Sequence, residues 1–492
     1  MANILHLFEL VKSLSKSEKR YFKMSARLQQ GDKVFMNLFD IIDNEKKGRD
    51  NIKHKLKKSF PKAAFEPACA HLYKAIMRSL KSFTAEKSSE NKLLNIISDV
   101  RILFDKGMLK LCFAELERGK KLALKHEKYF LFLQMARTEL QYITTLEFSH
   151  INESGLITRQ EKITDILYSE LFINKHSSLF EILYHRYHHQ GVMRSDLEIE
   201  KLNDLVLEEF QVNANERYHS CQSDKLHLHF QSLYFMMTGN PEQSLKEFYQ
   251  LDKLFEANAS RWEDEPVYYI YLLHGITISL RWMKKYEDMQ YFINRLKKIK
   301  AVAPSLEVLA QHIIYQHELE IALDLGKFNE GLLLIHEYEK QIMNVHQAPS
   351  NVFATTQLQI SLIYFGLNDF RKSLHYINSA LQMGEAFISH QVYGLCRLLS
   401  LIIHIELNND DHLIYAIRST ERKFKTEKKL YQVEKLTIDF ARKWTHVKAT
   451  NKKEILINYH DELLKLKENR YENQFLKSFN FVAWAESKIK GV

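Results

Sequence analysis

Residues 364–381, YFGLNDFRKSLHYINSAL, decide the fold. They read as the end of one helix, a three-residue turn and a second helix. Tyr364 closes the apolar face of the first helix, and Leu367, Asn368 and Asp369 make the turn. Phe370, Ser373, Leu374, Ile377 and Ala380 then recur at steps of three and four, which places them on one face of a helix with 3.6 residues per turn. Ser373 is the informative member, because a small side chain there lets the two helices approach closely.

The same turn recurs along the chain. Comparable segments centre on Gly326 (LGKFNEGLLLI, with Phe328 two places on), Lys284 (MKKYEDMQYFI), Gly239 (TGNPEQSLKEF) and Gly107 (KGMLKLCFAEL), with fainter copies at Gly191 and Asn408. The steps from Gly191 to Asn408 are 48, 45, 42, 42 and 40 residues. The gap of 84 from Gly107 to Gly191 is two steps of 42, with its middle turn expected near Ser149. A helix pair that is apolar on two faces can bury both only by stacking on its neighbours, so such an array forms one continuous core.

The residues that define the unit, Tyr364, Asn368, Phe370, Ser373, Ala380, Gly326, Phe328 and Gly239, resemble the tetratricopeptide-repeat family. A step near 42 exceeds the roughly 34 residues of that repeat, which longer helices would account for. The resemblance covers residues 92–450. It implies an all-α, right-handed superhelix of roughly seven to nine helix pairs, whose concave face binds a protein or peptide. A small helical domain followed by long repeats also resembles, in architecture, bacterial peptide-sensing regulators of the tetratricopeptide type.

Composition agrees with a helical chain. Only 14 Gly and 6 Pro in 492 residues lie far below the usual roughly 7% and 5%, so the turns of a β-rich or large α/β protein are not supplied. Cys69, Cys112, Cys221 and Cys396 are too scattered for a disulfide framework or a metal motif, which points to a reducing compartment. The apolar runs are too short to span a bilayer, and residues 4–11 lack the form of a secretory signal. A cytoplasmic location is expected.

The net charge of +9 is localised. Residues 1–90 carry 19 Lys and Arg against 10 Asp and Glu, and the other 402 residues carry 51 against 51. Residues 1–83 read as a separate basic helical domain, residues 84–91 (TAEKSSEN) as a linker, and residues 451–492 as C-terminal capping helices. Ser15 and Glu18 have the form of a capping box. On the last helix of the basic domain Lys74, Arg78 and Lys81 fall on one line, and Lys53 and Lys57 precede them. Clustered cations of this kind suit a polyanion such as nucleic acid, and they equally suit a solvated helix face.

Catalytic signatures are missing. No Gly-rich phosphate loop, GxSxG or HExxH occurs, and no cofactor is expected. Glu181, His185 and His189 stand one helical turn apart and make a weak metal candidate without an identifiable fourth ligand. His227 and His229, two apart, point away from each other on a helix. Crowded aromatics such as Tyr268, Tyr269 and Tyr271 are either partner anchors or knobs between repeats. The sequence therefore reads as a non-enzymatic protein- or peptide-binding scaffold. The alternative is a nucleic-acid-linked regulator whose basic domain contacts a polyanion.

Overall fold

The computed structural model describes residues 4–27, 34–45, 62–149, 151–214, 216–262, 266–299, 304–342, 350–384, 388–426, 429–447 and 451–491. Among these residues the regular structure is helical, with no strand. Packing divides the chain into two units, residues 1–167 and 168–492.

The first unit holds two apolar cores. Helices α1 (Ile4–Ser13), α2 (Lys16–Arg27), α3 (Val34–Asn44) and α4 (Lys62–Thr84) enclose Leu7, Val11, Phe22, Leu38, Phe39, Leu72 and Ile76. Ser15 opens α2 as the sequence suggests: its backbone N–H donates to Glu18 Oε2 at 2.7 Å, and the Glu18 N–H donates to Ser15 Oγ at 3.3 Å. Residues 46–61 of the basic domain lie outside the described residues. The second core lies among α5 (Ser89–Asp105), α6 (Leu109–Lys125) and α7 (Tyr129–Thr145), with Leu93, Leu116, Met135 and Ile163 inside. Between the two cores, the segment read as a linker is a short closed turn. Ser88 caps α5, and the side-chain amides of Asn91 and Asn95 donate to the carbonyls of Thr84 and Ala85 at 3.0 and 3.1 Å.

Helix α8, Glu153–Gln190, contributes residues 153–167 to the first unit and 168–190 to the second. The second unit continues with α9 (Asp196–Glu200), α10 (Asn203–Asn213), α11 (Cys221–Met237), α12 (Pro241–Ala257) and the single turn α13 (Ala259–Trp262). Four pairs follow: α14 (Pro266–Trp282) with α15 (Tyr286–Lys297), α16 (Pro304–Asp324) with α17 (Phe328–Ile342), α18 (Ser350–Gly366) with α19 (Phe370–Gln382), and α20 (His390–Glu406) with α21 (Asp410–Thr426). Then come α22 (Gln432–His446), α23 (Lys452–Glu468), α24 (Arg470–Leu476) and α25 (Phe481–Gly491). From α14 to α23 each helix packs on the next, and the first helices α14, α16, α18, α20 and α22 also pack directly on one another, so they form the inner layer of this unit.

The two layers differ in sequence for that reason. The outer helix α19 buries only Ser373, Ile377 and Ala380 along one face. The inner helices α18 and α20 carry no exposed residue at all. A helix apolar on every side needs neighbours on every side, and here they come from the same pair and from the pairs before and after. The apolar core runs on into the C-terminal helices, where Leu456, Tyr459, Phe481 and Trp484 join Phe440 and Trp444.

Close approach depends on small residues at the crossings. Ser361 and Ser373 are fully buried and exchange hydrogen bonds: each hydroxyl donates to the other's carbonyl at 2.9 Å. At Gly366 a Cβ would fall 2.3 Å from the Phe328 ring, so the aromatic two places after one turn packs against the glycine that ends the next inner helix. Ser373→Leu should therefore destabilise the chain by about 2 kcal/mol or more, through overpacking and an orphaned Ser361 hydroxyl. Urea unfolding checks this, and an unchanged midpoint would show that the two helices do not meet at this position.

Candidate functional site

The repeat-defining residues take up two kinds of position. Gly107, Gly191, Gly239, Lys284, Gly326, Asn368 and Asn408 all have positive φ, from +54° at Asn408 to +77° at Gly239. Each stands one or two residues past a helix end, where a left-handed residue closes the last turn. At Asn368 the following N–H, that of Asp369, donates to the Tyr364 carbonyl at 2.9 Å, and Asp369 then caps α19 by accepting from the Lys372 N–H at 3.1 Å. The turn expected near Ser149 falls at Glu147 and Phe148, φ +52° and +59°. Glu127, φ +52°, makes a further turn between α6 and α7 that the 42-residue spacing does not anticipate. Tyr364, Phe370 and Phe328 serve packing: Tyr364 stacks on Tyr376 at 5.5 Å, and Phe370 meets Phe365 edge-on at 5.3 Å.

The polar chemistry of the second unit gathers on the inner layer. His274 Nδ1 of α14 lies 2.9 Å from His317 Nε2 of α16, and Thr277 Oγ1 lies 2.6 Å from the same nitrogen. His317 Nδ1 faces Glu320 Oε2 at 2.9 Å. Glu320 also accepts from Gln359 of α18 at 3.0 Å and pairs with Arg281 of α14 at 2.7 Å, and Arg281 holds Asp324 as well. Gln316 extends the ladder to Thr356 and to the Val352 carbonyl. Three consecutive inner helices are thus tied through Glu320. Alongside, Tyr271, His274, Ile278 and Arg281 form a half-buried stripe on α14 at steps of three and four.

Electrostatics follow from this burial. Burial alone would raise the Glu320 carboxyl, but Arg281 and His317 bring it down to about 2. Burial and the neighbouring His317 push His274 down to about 3. The same desolvation takes His229, held between Phe180 and Tyr268, down to about 3, and His176 down to about 4. Not every polar atom on this layer has a partner: both ring nitrogens of fully buried His312, Oε1 of Gln359 and Nδ1 of His404 make no hydrogen bond.

The other predicted residues lie on other helices. Lys74, Arg78 and Lys81 are exposed on one face of α4, while Lys53 and Lys57 lie outside the described residues. His185 and His189 adjoin at 4.3 Å between ring centres, with Glu181 exposed one turn earlier. Among the described residues no group of three or more His, Cys, Asp or Glu side chains is placed to hold a metal ion. His227 and His229 do turn apart, the first to Glu209 and the second to Tyr268. The inner histidines His274 and His317 escape a motif search. Their signal is a step of 43 residues, matching the repeat, between polar residues in otherwise apolar helices.

Two solved structures resemble this chain. One is the apo form of RapI, 10% identical, with a TM-score of 0.40, covering 75% of this chain and 98% of that one. The other is NprR in complex with its cognate peptide NprX, 12% identical, with a TM-score of 0.32, covering 74% of this chain and 95% of that one. No family model matches the chain, and no curated protein matches it.

His176, His229 and His274 are neutral in the folded chain but titrate near 6.5 when unfolded. Their contribution to stability is complete above about pH 6.5 and is lost as the pH falls towards about 4 and then 3. Each ring should cost about 1.4 kcal/mol per pH unit in that window. The urea midpoint should fall between about pH 7 and pH 5, and His274→Gln should flatten the slope. A midpoint independent of pH would contradict this placement of the rings.

Proposed function

We propose that the chain is a non-enzymatic protein- or peptide-binding scaffold that engages its partner through the inner layer of the second unit. The observation that carries this reading is the concentration of hydrogen-bonding side chains on helices that are otherwise apolar all round. A core built only for stability would fill these positions with aliphatic groups, since a buried polar group without a partner costs roughly 1–3 kcal/mol. Here His312, Gln359 and His404 leave buried polar atoms unpartnered. The His274 imidazole on one stripe with Tyr271 and Ile278 suits an extended backbone, which brings one donor and one acceptor per residue and apolar side chains between them.

The second reading, a nucleic-acid-linked regulator, rests on the exposed face of Lys74, Arg78 and Lys81 and on the charge of the first ninety residues. The two readings differ in salt dependence: counterion release makes polyanion binding fall steeply with salt, whereas a half-buried apolar and hydrogen-bonded site is far less sensitive.

The test is selection of peptides from a random displayed library on the immobilised full-length chain, followed by calorimetry of the recovered sequence. Tyr271→Ala with His274→Ala should weaken binding by about tenfold or more, and the triple change of Lys74, Arg78 and Lys81 to Ala should leave it unchanged. Binding indifferent to the inner pair, or a duplex bound through the basic face with a steep salt slope, would replace this reading by the second.

A further inference from the structure

Within the second unit, residues far apart in sequence meet in a polar joint. The segment after α8 lies against the start of α20, the start of α22 and the whole of α24. Arg194 is at its centre. Its guanidinium is buried, pairs with Glu434 through one terminal nitrogen and with Glu472 through the other, and lies between the rings of Tyr431 and Phe475 at 4.2 and 4.7 Å. Around it Tyr431 Oη donates to Glu198 at 2.7 Å, Lys429 Nζ donates to the His189 carbonyl at 2.6 Å, and Asp196 accepts from Arg470 at 2.6 Å and from Tyr471 at 2.5 Å. The Met193 N–H donates to the Met237 carbonyl at 2.8 Å, which ties the loop ending α11 into the same assembly.

We propose that this joint is a latch: it holds the early and late helices of the second unit together in the arrangement seen here, and it opens without unfolding the repeats. Three features set it apart from the repeat-to-repeat interfaces. Its contacts are mostly charged or hydrogen-bonded, whereas the interfaces between successive pairs, even where the Glu320 ladder crosses them, rest on large apolar clusters. Contacts of that polar kind exchange for water at small net cost, as they do between domains that move. Its packing is incomplete, because a cavity of about 30 Å³ remains among Gly191, Arg194, Glu434 and Gln474. Nε of Arg194, Oε2 of Glu434 and Oε1 of Gln474 are buried there without hydrogen bonds. The space is enough for a water molecule.

The charges are also unequal. Two buried carboxylates face one buried guanidinium, with Asp196 and Glu198 on one side of the joint and Arg470 and Lys429 on the other. A buried ion group of this composition contributes specificity of docking more readily than stability. Gly239, with φ +77°, approaches the joint closely: a Cβ on it would lie 1.6 Å from the Gln474 side-chain nitrogen, so that side chain would have to shift. Joint and repeats thus have separate means of cohesion, and the joint can part while the apolar stack persists.

The experiment places spin labels on the full chain at Leu197→Cys in α9 and Lys477→Cys just after α24, both exposed positions, with Cys221→Ser removing the native cysteine that is not buried. Arg194→Ala should shift the label distances to longer values while the helical circular-dichroism signal is kept. The milder pair Asp196→Ala with Tyr471→Phe, which leaves no buried charge behind, should shift them in the same direction by less. Distances unchanged in both variants, or a shift that appears only together with loss of helix signal, would overturn the latch.

Discussion

A helix with no exposed residue has to be covered on every side, and in the second unit that requirement falls on α18 and α20. No single partner can meet it. The outer helix of the same pair covers one face, and the inner helices before and after cover two more, so each pair is stable only within the stack. From this follow the tight left-handed turns, which keep partners antiparallel and close, and the small residues at the crossings. Ser361 against Ser373 and Gly366 against Phe328 set how near the layers come. The first contact lies within one pair, and the second joins two neighbouring pairs.

Much of this was legible in the sequence because the turn has a strong local signature. A left-handed position selects glycine or asparagine, and seven turn residues picked out by their flanking pattern all have positive φ, including Lys284, which composition alone would not suggest. The extra turn at Glu127 was not legible, since neither its residue type nor its spacing stands out. The charged face of α4 could be read as a line of cations, but a line of cations alone does not specify a ligand.

The polar layer was harder to see for a physical reason. Histidine is at home in a core, on a surface or at a metal, so His185 and His189, one helical turn apart, look more like a site than single histidines spaced a repeat apart. It is the spaced ones, His274 and His317, that join Glu320, Arg281 and Gln359 into one network. The joint around Arg194 leaves no trace in the sequence at all, because its partners Glu434 and Glu472 lie 240 and 278 residues away. Local rules reach neighbours along the chain. Closure of an array depends on the summed rotation of all its pairs.

The inner layer is thus the core that holds the pairs together, and it also carries buried polar atoms without partners. A partner bound there would suppress opening of the inner helices themselves. The most direct measurement is amide hydrogen exchange of the full chain with and without a selected peptide. The account predicts slowed exchange concentrated in α14, α16 and α18, with residues 62–84 unaffected. Protection confined to residues 62–84, or spread only over the outer helices α15, α17 and α19, would contradict it.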